Sequence, residues 1–320
     1  MHDIVSSDRQ SVCTTAICTL FEGDYHLGLA AFVNSLVRAG YKGTIWAGFR
    51  GELPPWLDQL KRLDGRAGEF MVGSHVRLVF LPLETEIHFT NYKPQFMLDL
   101  FADQARGCEY LWYFDPDIFL RCDWTFFANW QRHGIALCEE IVNYRLSERD
   151  PLRLTWVEIG AAMGLREPRP LNQYFNGGMV GVGAGHSSFL HLWNRILEQF
   201  ASMGSDLTKF GPGASRLPYA TDQDALNMAA MYTAYPLTTV GPEGMGFRRG
   251  EIRMYHAVIQ KPWRGSLLLR ALAGIPPSDA TKFFFTQVSS PIRAYSPWRL
   301  RRKRLTCAIA ALIGRFYRRQ

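Results

Sequence analysis

Four large apolar residues followed at once by two carboxylates, Leu111-Trp112-Tyr113-Phe114-Asp115-Pro116-Asp117, constrain this chain more than any other stretch. The apolar run reads as a buried strand, and the carboxylates fall where that strand ends. In an open α/β sheet, ligands collect outside the carboxyl ends of the strands. Asp115 and Asp117, two apart around a stiff proline, can there hold one hard divalent cation through oxygen ligands. A metal so placed suits a diphosphate. Fifteen aspartates in 320 residues give about 0.7 chance Asp-x-Asp matches, so the pair gains meaning only from its surroundings.

Those surroundings alternate strands with helices. Thr14 to Phe21 reads as a buried strand, and Tyr25 to Ala39 carries Leu27, Leu29, Ala30, Val33, Leu36 and Val37 at helical spacing before the C-cap glycine Gly40. Thr44–Ala47 and Val76–Leu81 are further strands, with a helix expected at Pro55–Leu63 between them. A helix at Pro94–Arg106, proline in its first turn, leads into the Leu111–Phe114 strand. The pattern predicts βαβ units and a mainly parallel sheet. Ile141–Tyr174 is polar and aromatic and reads as loops and short helices. A glycine-laced strand at Phe175–Gly183 then precedes a helix from about Ser187 to Phe200 and a loop at Ser202–Leu217.

Charge separates the chain into two parts. Nine of the 36 basic residues lie in 293–320, which holds no acid, so residues 1–292 carry 27 basic against 29 acidic residues. The net charge of +7 therefore belongs to a tail, and no nucleic-acid partner is expected of the body. The six cysteines show no Cys-x-x-Cys spacing, which points to a reducing, cytoplasmic setting. The N-terminus has no signal-peptide pattern, and no stretch approaches the ~20 apolar residues that span a bilayer.

Three later segments add candidate chemistry. Phe175-Asn176-Gly177-Gly178 places an amide and two glycines at a strand entrance, where glycine admits a ligand close to the backbone. In Thr221-Asp222-Gln223-Asp224-Ala225-Leu226-Asn227, Thr221 and Asp224 fit a capping box, which leaves Asp222 and Gln223 for a ligand. His256 follows a strand expected at Ile252–Tyr255 and lies five residues before Lys261-Pro262-Trp263. Haloacid-dehalogenase-type phosphatases also place Asp-x-Asp after a buried strand, though on an early strand and with a small residue two further on, where this chain has Ile118-Phe119.

In this order the segments TTAICTLFEGDYHLGLAAFVNSL, YFDPDIFL, FNGGMVGV, TDQDALNM and HAVIQKPW resemble glycosyltransferase family 8 and its relatives on the GT-A fold, over residues 14 to 263. The His-to-Lys spacing is one residue shorter than the family's and lacks its usual glycine. The resemblance implies an α/β GT-A fold with a mainly parallel, Rossmann-like sheet flanked by helices. It implies one catalytic domain over 1–292, with a nucleotide-binding half at about 12–122 and an acceptor and sugar half at about 123–292.

The activity implied is transfer of a sugar, with retention, from a UDP-linked nucleoside diphosphate sugar to a saccharide or lipid-linked acceptor. Asp115, Asp117 and His256 would hold Mn²⁺ or Mg²⁺. Lys261 would add charge at the phosphates, Lys93 would contact the donor, and Asn176, Gly177, Asp222 and Gln223 would face the sugar, Gln223 nearest the anomeric carbon. Thr15 or Leu20 main chain would meet the base, with Tyr25 or Phe21 available for stacking. A phosphohydrolase using Asp115 and Asp117 and a non-catalytic sugar-nucleotide-binding protein are the alternatives.

The basic segment 293–320 carries Leu305, Ile309, Leu312 and Phe316 at i, i+4, i+7 and i+11. Ten residues, Leu305 to Gly314, are too few to cross a bilayer, so the expectation is a basic amphipathic helix lying on an anionic membrane surface, with the protein peripheral on the inner face.

Overall fold

Successive strand residues point to opposite faces, so a strand buried along its whole length must be covered on both. The computed structural model of the chain describes residues 15–63, 68–141, 146–166, 168–211, 221–258 and 260–317. In it β6 (Tyr110–Phe114) is such a strand, as is β1 (Thr15–Glu22) up to Phe21, and the two lie side by side, parallel, with Ile17 opposite Trp112. β1 also pairs in parallel with β2 (Gly43–Arg50), and β2 with β5 (Val76–Pro82). Antiparallel additions widen this parallel core. β4 (Glu69–Val72) and β3 (Lys61–Arg62) extend one edge. On the other side β9 (Phe175–Gly183) pairs with β6, then β8 (Ile135–Glu139) with β9, and β10 (Leu237–Val240) runs parallel to β8 at the edge. The nine-stranded order is β10-β8-β9-β6-β1-β2-β5-β4-β3.

Helices cover both faces. Leu111 and Tyr113 point into a core shared with α2 (Phe89–Ala102), α4 (Pro151–Ala162), α5 (Ser188–Ser202) and α6 (Thr221–Tyr232). Their neighbours Trp112 and Phe114 point the other way, onto α1 (His26–Arg38) and α3 (Trp124–Trp130). A two-stranded ribbon of β7 (Ile118–Leu120) and β11 (Met254–His256) sits beside α1.

Several expected elements are redrawn. The expected helix at Pro55–Leu63 is a single tight turn at Pro55–Gln59 that passes into β3. The helix expected at Pro94 begins at Phe89, so Pro94 lies inside it and Lys93 sits in its second turn rather than at its start. His88 takes over the start by accepting from the Thr90 amide. Within Ile141–Tyr174, where short helices and loops are expected, α4 is a full helix entered through an Asp150 cap and Pro151. Thr14 and residues 212–217 of the expected loop lie outside the described residues.

The C-terminal helix α9 (Pro297–Phe316) packs on α7 (Leu267–Leu272) and α8 (Asp279–Gln287), burying Leu300, Cys307 and Ala310 against a cluster containing Trp263 and Phe284. The stripe read from the sequence faces away from this contact: Leu305, Ile309, Leu312 and Phe316 are 61%, 43%, 52% and 85% exposed. No helix among the described residues is long and apolar enough to cross a membrane.

Candidate active site and metal centre

The site forms where β6 ends. Tyr113 and Asp115 share a strand face, and the Tyr113 hydroxyl donates to Asp115 Oδ1 at 2.9 Å. The ladder with β9 continues one step past the strand, with Asp115 N donating to Gly178 O at 2.7 Å. A turn over Pro116 is closed by Ile118 N on Asp115 O at 3.0 Å and leads directly into β7. β11 pairs antiparallel with β7 and sets His256 opposite Ile118, one residue from Asp117. Ala257 N donates to Asp117 O at 3.0 Å and fixes that register.

The imidazole Nε2 consequently lies 3.7 Å from Asp115 Oδ2 and 3.5 Å from Asp117 Oδ1. Asp115, Asp117 and His256 each present one ligand atom, all within 4.8 Å of one another. Two carboxylates and one imidazole could together hold a divalent metal ion. Gly178 forms the floor: a Cβ there would stand 2.4 Å from His256 Cε1 and 2.9 Å from Asp115 Oδ2, so the cluster fits only against glycine.

Two lysines face the aspartates. Lys93, 2% exposed, donates to Gly177 O at 2.9 Å and Asp222 Oδ2 at 3.1 Å, and lies 3.4 Å from Asp115 Oδ1. Lys261 donates to Asp117 Oδ2 and to the Ala257 carbonyl at 2.9 Å. Burial acts against charge on Asp117, but His256 and Lys261 outweigh it and hold its carboxyl well below the usual range. Asp115 shifts the other way: burial is the largest cause, and Asp117 adds to it against Lys93 and His256. Burial likewise disfavours the charged form of Lys93, yet Asp115 and Asp222 hold its ammonium above the ordinary value.

Around this centre α6 is pinned to the entrance of β9. Gln223 Oε1 accepts from Gly177 N at 3.0 Å. The Asn227 amide accepts from Phe175 N at 2.7 Å and donates to Phe175 O at 2.8 Å, standing in for a missing strand partner. Asp224 accepts from the Tyr174 hydroxyl, 2.5 Å away, while the Thr221 side chain of the expected capping box lies outside what is described. Asn176 donates to Glu140 Oε2 at 2.5 Å and accepts from Gly178 N at 2.9 Å.

Asn176, Gly177, Asp222, Gln223, Lys93 and Lys261 thus gather with the three metal-ligand candidates in one place. Thr15 does not join them: it starts β1 at the far end of the strand, where its hydroxyl donates to Gln131. Phe21, expected to be free for stacking, is 2% exposed and packed between Phe49 and Phe80. Tyr25 reaches the site's edge, edge-on to Trp263 and with Lys261 Nζ 5.6 Å from its ring centre.

Three contributors were not read from the sequence. Glu140 follows an apolar strand as Asp115 does, and that same signal marks it. Gly28 sits inside α1, where a Cβ would come 2.5 Å from Pro116 O and 2.6 Å from Trp263 Cη2; an interior helical glycine is the clue to such a close approach. Arg264 clasps Asp24 with both Nε and Nη2, tying the end of β1 to the Lys-Pro-Trp loop.

No protein-family model matches the chain, and no curated protein sequence matches it. Among solved structures it is similar to one described as the WbbM bifunctional glycosyltransferase in its apo form, with a TM-score of 0.56 and 13% identity. That alignment covers 92% of this chain and 52% of the other, so the chain spans about half the length of that structure. The likeness establishes the fold: a mixed central sheet, parallel in its core and flanked by helices, of the GT-A-like glycosyltransferase kind.

Proposed function

We propose that the chain is a metal-dependent glycosyltransferase that moves a sugar from a UDP-linked nucleoside diphosphate donor to a carbohydrate or lipid-linked acceptor. The observation that carries this reading is the convergence of Asp115, Asp117 and His256 at the carboxyl end of a central strand of a GT-A-like sheet, between Lys93 and Lys261. Mn²⁺ or Mg²⁺ bound there would neutralise charge building on a diphosphate leaving group.

The chain's own residues supply the rest. Lys261 moves from Asp117 to the phosphates, as a compact cation on a flexible stem can. Lys93, locked between Asp115 and Asp222, holds the sugar-facing wall in register with the phosphate-facing one. Asp222 and Gln223 meet the sugar, and Asn176, braced by Glu140, shapes the floor beside them. An amide is a poor covalent nucleophile, so Gln223 favours retention by same-face, donor-assisted departure of the diphosphate over a covalent intermediate.

The exposed stripe on α9, flanked by Arg301, Arg302 and Arg315, supports attachment to an anionic membrane surface. Each basic side chain near such a surface contributes about 1 kcal/mol. The acceptor is then lipid-borne and the protein peripheral.

Titration calorimetry with UDP, with and without Mn²⁺, followed by a hydrolysis screen over UDP-sugars, tests the reading. Metal-dependent UDP binding and slow hydrolysis of one donor are expected. Phosphate release from simple esters with Mg²⁺ would replace it with a phosphohydrolase, and UDP binding without turnover of any donor would leave a binding protein.

A further inference from the structure

A second basic site lies one residue beyond the metal loop. Lys261 contacts Asp117, and the next residue, Pro262, opens the wall of a separate cavity of about 550 Å³ between that loop and the start of α9. Arg299, Arg302 and Lys303 line it together with Ser266, Ser296 and Thr306, and among the described residues no carboxylate does. Residues three and four apart share a helix face, so the three cations crowd together, an arrangement that costs stability unless an anion joins them. Lys303 registers the crowding: burial first, then Arg299 and Arg302, lower the pKa of its ammonium.

The cations are oriented without being neutralised. Arg299 and Lys303 lie 5.4 and 5.3 Å from the centre of the Tyr295 ring, and Arg302 lies 5.5 Å from that of Trp298. Among the described residues none of the three has an ion-pair partner. Asp24, the carboxylate that reaches this side of the molecule, is already clasped by Arg264. The Thr306 hydroxyl donates to the Arg302 carbonyl at 2.9 Å, which leaves the cations and the Ser266 and Ser296 hydroxyls to match the oxygens of a phosphate group.

We propose that this cavity is a phosphate-binding site, distinct from the metal centre, which takes a phosphate ester or diphosphate. It goes beyond the transferase reading, because it requires neither metal nor donor. A lipid headgroup and a soluble phosphate compound both present this chemistry. The apolar side chains of Leu305 and Ile309 on the adjoining face of α9 would place a headgroup within reach.

The test uses the full chain in chelator, without UDP, titrated with inorganic pyrophosphate. The Arg302→Ala/Lys303→Ala variant should bind roughly tenfold or more weakly. Arg301→Ala/Arg315→Ala, which removes equal charge outside the cavity, should bind as the parent does. Arg299→Gln, which keeps a polar side chain, gives an independent single-site check, and circular dichroism confirms that each variant folds. Equal losses in both double variants, or no pyrophosphate binding by the parent, would overturn the proposal. Vesicle sedimentation then assigns the source. Binding to phosphatidate vesicles that falls in the cavity variant, but not on oleate vesicles of matched charge, identifies a lipid phosphate. Loss of pyrophosphate binding with phosphatidate binding unchanged identifies a soluble one.

Discussion

His256 Nε2 stands 3.5 Å from Asp117 Oδ1, although the two residues are far apart in sequence. A three-residue antiparallel pairing of β7 with β11 creates that proximity. His256→Ala should keep the fold and weaken Mn²⁺ binding by roughly 10- to 100-fold or more. Asp117→Ala should abolish metal-dependent UDP binding. Mn²⁺ titration followed by electron paramagnetic resonance measures both, and undiminished Mn²⁺ affinity in His256→Ala would remove the histidine from the ligand set.

Lys93 is a buried cation with two carboxylate partners, Asp115 and Asp222. Removing it leaves both largely buried carboxylates without this cation, and breaking a buried pair from one side costs about 3 kcal/mol or more. Lys93→Met should lower the urea midpoint accordingly, and adding Asp222→Asn should restore part of the loss. A double variant less stable than the sum of its two single variants would contradict the coupling.

The Asp24–Arg264 clasp makes a pH prediction. The Arg264 hydrogen bonds lower the Asp24 pKa, with burial acting the other way. A carboxyl with a lowered folded pKa adds stability that is present above its unfolded value, near 4, and is lost as pH falls through the folded value. Both side chains are more than a third exposed, so the contribution stays below about 1 kcal/mol. Asp24→Asn should therefore be slightly less stable than the parent at pH 7 and indistinguishable from it once acid has protonated Asp24 in both folded and unfolded states. Urea unfolding across that range checks it, and a gap that widens in acid would be the wrong sign.

The centre of the site was legible because its signals are local. A buried strand ending in Asp115 and Asp117 announces itself by composition, and Gly177 and Gln223 sit on short segments with unusual residues. Thr15 was misplaced for a reason of direction. Ligands gather at the carboxyl ends of parallel strands, and Thr15 opens β1 while Glu22 closes it. Glu140 carries the same strand-end signal as Asp115 but stands without a second carboxylate two residues on, whereas α4 was hidden because aromatic and polar residues mask its helical period, and Asp150 with Pro151 was the start signal to follow. On α9 the stripe was read as one helix face turned outward, and it is exposed; the opposite face, which packs on the body, was not read. The body is met by Leu300, Cys307 and Ala310: Cys307 and Ala310 are small enough to pack closely, and Leu300 stands alone among basic residues in the sequence.

Asn227 is fully buried and its amide bonds both the N–H and the C=O of Phe175, locking α6 to the first residue of β9. Replacing it with alanine leaves two buried backbone groups without their partner, each costing about 1–3 kcal/mol. Asn227→Ala should thus be destabilised by about 2–5 kcal/mol in urea unfolding. The damage should begin locally, because Gly177 and Gln223 are held by the same junction. Amide hydrogen exchange should quicken first at Phe175, Gly177 and Gly178 in this variant, while β1 and β2 keep their protection. Uniform loss of protection across the sheet would mean that Asn227 supports the whole fold and not the sugar-facing wall in particular.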